Sequence, residues 1–424
     1  MPRNAAFDLL DAVIGHKRLL DEALDKTPSF THLPDRDRGL AALIVRAVLR
    51  HRGEIDALID AFLEKPLGKK GQSAKNALRM GLAQLMFSDI ADHAAVDTTV
   101  EMCQSAELAP YRKLVNAVLR RAQREGAKVL ATLDAPRVNT PEWLWDSWVA
   151  AYGEDTARAI ATQHMQEPPL DLTAKADPAH WAQALDAQLM PTGTLRVGRK
   201  ASVTTLEGFD QGAWWVQDLA ASLPARLLGS VEGMDVIDLC AAPGGKTMEL
   251  AAAGGQVIAV DRSTKRLERV QQNLDRTQLN AKLITADAET WRPAMLADAV
   301  LLDAPCSATG TARRHPDVLN LKTQADVDKL ANLQGRLLRA AVDMVRPGGL
   351  IVYCTCSLQP EEGERQIEAL LASDAPVELD PVKPAEAGAL TNIITPEGYL
   401  RTLPHYLNEQ GGMDGFFAAR LRRL

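Results

Sequence analysis

Cysteine is scarce in this 424-residue chain: there are five, an odd number in a long sequence. That count argues against a disulfide framework and favours a reducing compartment, so the cytoplasm is the expected location. The chain has no C-x-x-C pair and no cluster of its eight histidines, so no zinc site is expected. No apolar run reaches the roughly 18 residues that a membrane span needs. The first twenty residues carry Asp8 and Asp11 and lack a small-residue cleavage site, so they do not read as a signal peptide. Two phosphate-binding fingerprints are missing as well. Cys240 stands where a P-loop ending in Gly245-Lys246 needs glycine, and the same turn lacks the three-glycine spacing of a dinucleotide site. Internal repeats and low-complexity segments are also absent.

What is present describes a globular chain of two or three domains, 46% hydrophobic and 24% charged. The net charge of −7 does not by itself point to nucleic acid. Residues 1–130 nonetheless hold 20 Lys and Arg against 17 Asp and Glu, so the acidic excess lies further on.

From Asn4 to about Val129 the apolar residues recur at helical spacing: Ala5, Leu9, Leu10 and Val13; Leu40, Leu43, Ile44, Val48 and Leu49; Leu78, Leu82, Leu85 and Met86; Leu114, Val118 and Leu119. An all-helical domain over 1–135 is expected, with helix pairs joined by short loops. Basic residues gather at Arg46, Arg50, His51 and Arg52, at Lys65, Lys69, Lys70 and Lys75, and at Arg112, Lys113, Arg120, Arg121 and Arg124. Any one group reads as a solvated face; three in one small domain favour a phosphate-contacting surface. The stretches Asn76–Phe87, Asp92–Asp97 and Leu114–Arg121 resemble the NusB family of RNA-binding antitermination factors. That resemblance implies RNA or RNA–protein binding without catalysis.

Residues 136–225 read as a small α/β connector opened by a Pro136–Pro141 linker. Trp143, Trp145 and Trp148 suit an interdomain core better than base stacking. Trp214–Ala220 reads as the lead-in to a helix.

Over 226–424 the period changes. Val236–Leu239, Val257–Val260, Leu283–Thr285, Ala299–Leu302 and Leu350–Tyr353 are short β-rich runs, separated by helical stretches such as Thr264–Leu274 and Ala325–Val345. Such alternation predicts a parallel, doubly wound, Rossmann-like sheet, whose ligands bind outside the carboxyl ends of the strands. Asp414–Arg420 reads as a closing strand. Cys240-Ala241-Ala242-Pro243-Gly244-Gly245-Lys246 ends the first run and opens a helix, a turn that brings backbone N–H groups to a ligand. Asp261 ends the second run, where an acidic residue commonly takes ribose hydroxyls, Asp287 ends the third, and Arg266 follows on the next helix. Either carboxylate alone also suits a cap or turn. Together beside the glycine turn they fit S-adenosylmethionine.

Asp303-Ala304-Pro305-Cys306 and Cys354-Thr355-Cys356-Ser357 end the fourth and fifth runs. Cys103, Cys240 and Cys354 read as packing residues, whereas Cys306 and Cys356 occupy loop positions at the ligand edge. A thiolate beside a methyl donor suits a pyrimidine, whose C5 is not nucleophilic until something adds at C6. Arg313, Arg314 and His315 read equally as phosphate contacts near a flipped nucleotide or as solvated charges. Glu361, Glu362 and Glu364 read as charges decorating a helix start.

Cys240–Thr247, Asp303–Gly310, Arg313–Asp317, Arg346–Gly349, Tyr353–Ser357 and Gln359–Glu362 closely resemble RNA cytosine-5 methyltransferases. With the NusB-like front end, the similarity is to the RsmB/Sun (Fmu) family acting on small-subunit (16S) rRNA. The resemblance implies that Cys356 is the nucleophile attacking C6, that Asp303 holds the base edge, favours protonation at N3 and also lies at the methyl donor as a cofactor-binding residue, and that Cys306 serves release of the adduct. It also implies S-adenosylmethionine as cofactor and rRNA, free or in an assembling particle, as partner, with neither membrane nor metal and a monomer expected. Ala308 stands where that family commonly has glycine, and Thr311-Ala312 replaces a more apolar pair. Two rival readings are a tRNA cytosine-5 methyltransferase and a NusB-like RNA-binding factor whose attached domain has lost activity.

Overall fold

The computed structural model describes residues 2–198, 202–387 and 390–424; the side chain of Lys69, one of the expected basic residues, lies outside that description. The chain forms two compact units, Met1–Gln166 with Ala312–Lys322, and Glu167–Thr311 with Thr323–Leu424.

The first unit is helical. Helices Pro2–Leu10, Asp35–Arg50, Arg52–Phe62, Gln72–Met86, Asp92–Met102 and Arg112–Leu130 bury the apolar faces that the spacing predicts. Leu9, Ile44, Val48, Leu78, Leu82, Val118 and Leu119 share one core, while Leu43 faces solvent. The unit runs past the expected boundary at 135. Gly53 explains part of this, because a Cβ there would lie 1.8 Å from the carbonyl oxygen of Val138, so the chain at 138 is packed directly on a helix start. Asn139 also bonds Glu54 twice, accepting from its backbone N–H and donating to its carboxylate at 2.7 Å. Helices Glu142–Tyr152 and Glu154–His164 follow, with Trp145 and Trp148 buried within this unit and Trp143 half-buried.

The short segment Ala312–Lys322 belongs to this helical unit. The Asp317 carboxylate accepts from the Leu20 N–H at 2.9 Å, Arg50 donates to the Arg313 carbonyl at 3.0 Å, and Leu321 packs on the helical core. Arg313 is fully buried, which corrects both of its expected readings, a phosphate contact and a solvated charge.

The second unit holds two sheets. The smaller is antiparallel, in order β2-β3-β1-β4, from β1 (Leu170–Ala174), β2 (Ala187–Leu189), β3 (Leu195–Val197) and β4 (Trp214–Val216). β4 corrects the expected helix lead-in: Thr173 pairs with Trp215 and Ala174 with Trp214. Three residues are too few to show a period, and helical backbone starts only at Ala220.

The larger sheet comprises β5 (Asp235–Leu239), β6 (Gln256–Asp261), β7 (Lys282–Thr285), β8 (Ala297–Asp303), β9 (Val345–Thr355), β10 (Val377–Leu379), β11 (Leu400–Thr402) and β12 (Phe416–Arg423). Its order is β10-β12-β9-β8-β5-β6-β7, with β11 on β12. β7, β6, β5, β8 and β9 run parallel, and the last three strands pair antiparallel at one side. The chain winds outward from β5 to β7, then returns to β8 on the other flank. β5 and β8 therefore straddle a topological switch point, where open sheets of this kind bind ligands. Among the described residues no helix is long and apolar enough to cross a membrane.

Candidate active site

Five strand ends build the site. β8 delivers Asp303 opposite Cys354 of β9, in parallel register. The loops beyond them stay joined: Ala304 N–H donates to the Cys354 carbonyl at 3.0 Å, and Gly310 N–H to the Cys356 carbonyl at 3.0 Å. This brings the Cys306 and Cys356 sulfurs to 3.4 Å from one another, both partly accessible. The hydrogen bond to Cys356 and then burial hold the Cys306 thiol well above the usual thiol range, so Cys306 keeps its proton. Cys354 and Cys103 are buried, as packing residues should be, and burial raises both thiols.

Lys246 directs its ammonium at Asp303 Oδ2, 2.8 Å away, and sits 4.9 Å from the Phe416 ring centre. Burial opposes that charge, but Asp303 more than compensates, and the lysine stays protonated. The Asp303 side chain keeps about a third of its surface open, with Oδ1 accepting weakly from Cys354 Sγ at 3.6 Å. Beneath the pair, Asp238 of β5 is wholly buried, accepts from Thr247 Oγ1 at 2.5 Å, and is pushed by burial up to about 7.

A cleft beside these groups is lined by Cys240, Val260, Asp261, Arg266, Asp287 and Pro305 among others. Cys240 enters the turn with φ 61°, and Gly244 at φ 102° caps the helix Gly245–Ala252, with Val270 packed where its Cβ would be. Ala241, Ala242, Pro243, Gly244 and Gly245 form this turn rather than the cleft's lining. Asp261 is buried and staples the turn, accepting from Ala242 N–H at 3.3 Å and Ser263 N–H at 3.0 Å, with Arg266 at 3.2 Å. Asp287 is exposed, and its carboxylate takes the Glu289 N–H at 2.9 Å. Carboxylates on two consecutive strand ends beside the apolar Val260, Ala288, Leu333 and Leu337 offer acceptors for ribose hydroxyls and a face for a purine.

Two family models match most of the chain. The family model of 16S rRNA methyltransferase RsmB/F matches residues 225–422, and that of the NusB family residues 1–124. Ribosomal RNA small subunit methyltransferase B of Pseudomonas putida is 38% identical over 100% of this chain and 98% of its own length. The Xanthomonas campestris protein of the same name is 39% identical over 90% of each chain. This chain belongs to the RsmB/F family of rRNA methyltransferases. Its cofactor is S-adenosylmethionine, and the cleft residues fit it. Among solved structures, that of PH0851 covers 100% of this chain and 99% of its own at TM-score 0.74 and 22% identity, a likeness of fold. A methyltransferase homologue from Pyrococcus horikoshii covers 66% of this chain and 94% of its own at TM-score 0.55 and 28% identity.

The RsmB/F site also contains a buried glutamate. Glu362, read as a helix-start charge, is wholly buried between the two thiol-bearing loops. Its signal was faint: Cys306 and Cys356 are each followed by serine, and those serines meet on Glu362. Glu361 and Glu364 do stay near the helix start, paired with Arg365 and Arg401. Ala308, in the family's glycine position, takes φ 60°, a conformation glycine adopts more easily.

Proposed function

We propose that the protein methylates C5 of a cytosine in small-subunit rRNA in the cytoplasm, through a covalent bond between Cys356 and C6 of the base. The observation that carries this reading is the pair of thiols 3.4 Å apart, at the ends of neighbouring parallel strands beside the Lys246–Asp303 ion pair. As a thiolate, Cys356 adds to C6, and the displaced electron pair makes C5 nucleophilic. Asp303, oriented by Lys246, faces the N3 edge and supports a proton there. S-adenosylmethionine supplies an electrophilic methyl group when bound, held by Asp261, Asp287 and the turn from Cys240. The pair from the C5–H bond then restores the C5=C6 double bond as the C6–S bond breaks. Cys306, whose sulfur lies 3.4 Å from that of Cys356, serves this release step, with the C5 proton passing to solvent water as base.

The small-subunit target is supported by the relatives' names and by the NusB-like unit. That unit exposes Arg112, Lys113, Arg120, Arg121 and Arg124 on helix Arg112–Leu130, although Arg120 and Arg121 also pair with Asp97 and Glu125. The test offers labelled S-adenosylmethionine with unmodified small-subunit rRNA and with tRNA, followed by identification of the labelled base. Label in 5-methylcytosine from rRNA supports the reading. Label from tRNA alone replaces the substrate, and RNA binding without label favours an inactive binding factor. Cys356→Ala should abolish both turnover and attachment to RNA, whereas Cys306→Ala should accumulate a protein–RNA adduct. An adduct in Cys356→Ala instead would reverse the two roles.

A further inference from the structure

The two thiols sit on separate loops, one after β8 and one after β9, and their spacing needs something to hold those loops together. We propose that Glu362 is the positioning residue that sets this spacing. Its Oε1 accepts from the Ser307 N–H at 2.8 Å, and its Oε2 accepts from the hydroxyls of Ser307 and of Ser357, the latter at 2.5 Å. The two hydroxyls are themselves 3.2 Å apart. One carboxylate therefore fastens the residue after each catalytic thiol.

The anchor is itself fixed on three further sides. Gln334 donates to Oε1 at 3.1 Å and also to the Pro305 carbonyl, just before Cys306, at 2.8 Å. The Glu362 carbonyl accepts from Tyr353 Oη at 2.8 Å and Thr355 Oγ1 at 3.1 Å, both on β9. Glu362 has no exposed surface and does not reach the reacting atoms, so its action is through Ser307 and Ser357. Burial raises this carboxyl above its usual range while the four converging donors work the other way, and because losing a donor would leave buried polar atoms unpaired, the loops have one strongly preferred arrangement. Removing the carboxylate leaves a buried N–H and two hydroxyls without their acceptor, free to rearrange while the cofactor cleft keeps its lining.

This inference rests on the proposed thiol chemistry, and the experiment separates the two. Steady-state methyl transfer to unmodified small-subunit rRNA is measured for the wild type, Glu362→Ala and Glu362→Gln, together with adduct formation for each in a Cys306→Ala background. Positioning predicts that Glu362→Ala lowers kcat and the adduct rate by about tenfold to a hundredfold, with KM for S-adenosylmethionine within about twofold. Glu362→Gln, which keeps one acceptor and the bridging length, should recover most of the loss. If Glu362→Ala does not fold, the double variant Ser307→Ala/Ser357→Ala takes its place, with the same expected fall in kcat. Folded Glu362→Ala or double-variant protein with wild-type kcat overturns the assignment, as does a loss that Glu362→Gln leaves unrelieved. Absence of adduct in Cys306→Ala with Glu362 intact counts instead against the covalent mechanism.

Discussion

Gly310 offers a severe test of how tightly the catalytic loop is held. It lies four residues after Cys306, and its backbone joins two neighbours: its N–H donates to the Cys356 carbonyl at 3.0 Å, and its carbonyl accepts from Gly415 at 2.8 Å. A Cβ at Gly310 would sit 2.0 Å from the Gly415 carbonyl oxygen and 2.6 Å from its carbon. Both are backbone atoms, so no side-chain rotation relieves the clash. Reaching an ordinary contact near 3.5 Å requires the two segments to part by about 1 Å or more. A misplacement of that size in a catalytic loop costs about a hundredfold in rate, or about 2.7 kcal/mol of barrier. Gly310→Ala should therefore lose about two orders of magnitude in single-turnover methyl transfer, with overpacking costing about 1–3 kcal/mol of stability. S-adenosylmethionine affinity, read by calorimetry, should hold, because Gly310 does not line the cofactor cleft. Ala308→Gly in the same loop is the control: it relieves a left-handed alanine and should leave kcat intact. A folded Gly310→Ala enzyme within about threefold of wild-type rate would refute the reasoning.

Two further predictions concern the scaffold. His164 is 3% exposed, lies edge-on to Trp148 at 5.4 Å, and its ring nitrogens have no hydrogen-bond partner among the described residues; burial, then the nearby Arg313 charge, lowers it to about 3. The unfolded chain thus binds more protons between pH 6.5 and 3, and stability falls as pH drops through that window, by about 2 kcal/mol at pH 5. Denaturant melts of His164→Phe should lack that component; an unchanged acid slope would remove His164 as its source. Arg196 holds Asp171 by two 2.7 Å hydrogen bonds and donates to the Gln410 carbonyl at 2.9 Å, with both charged side chains 3% exposed. Arg196→Met should cost about 3–5 kcal/mol by stranding the carboxylate, and adding Asp171→Asn should return part of it. Equal melting of single and double variants would count against the stranded charge.

Sequence alone determined which residues stand at the ligand edge. Each strand from β5 to β9 contains a short apolar run that leads into Cys240, Asp261, Asp287, Asp303 or Cys356, and in a parallel sheet those ends share one side whatever the other packing. Helical spacing likewise identified the faces of Pro2–Leu10 and Arg112–Leu130, because a 3.6-residue period is a local property. What lies beyond local pattern was decided by tertiary structure. β4 is three residues long, and only its pairing with β1 makes it a strand. Lys246 follows the glycine turn in sequence, and only folding set Asp303, 57 positions away, within reach of its ammonium. Arg313 read in sequence as either a phosphate contact or a solvated charge, yet Ala312–Lys322 packs with the helical unit and buries it. Glu362 reads in sequence as one of several helix-start acids, and its two serine partners are separated from each other by 50 residues. The free energy of such buried polar contacts depends on partners that only the folded chain assembles, so no local period or propensity carries their signature.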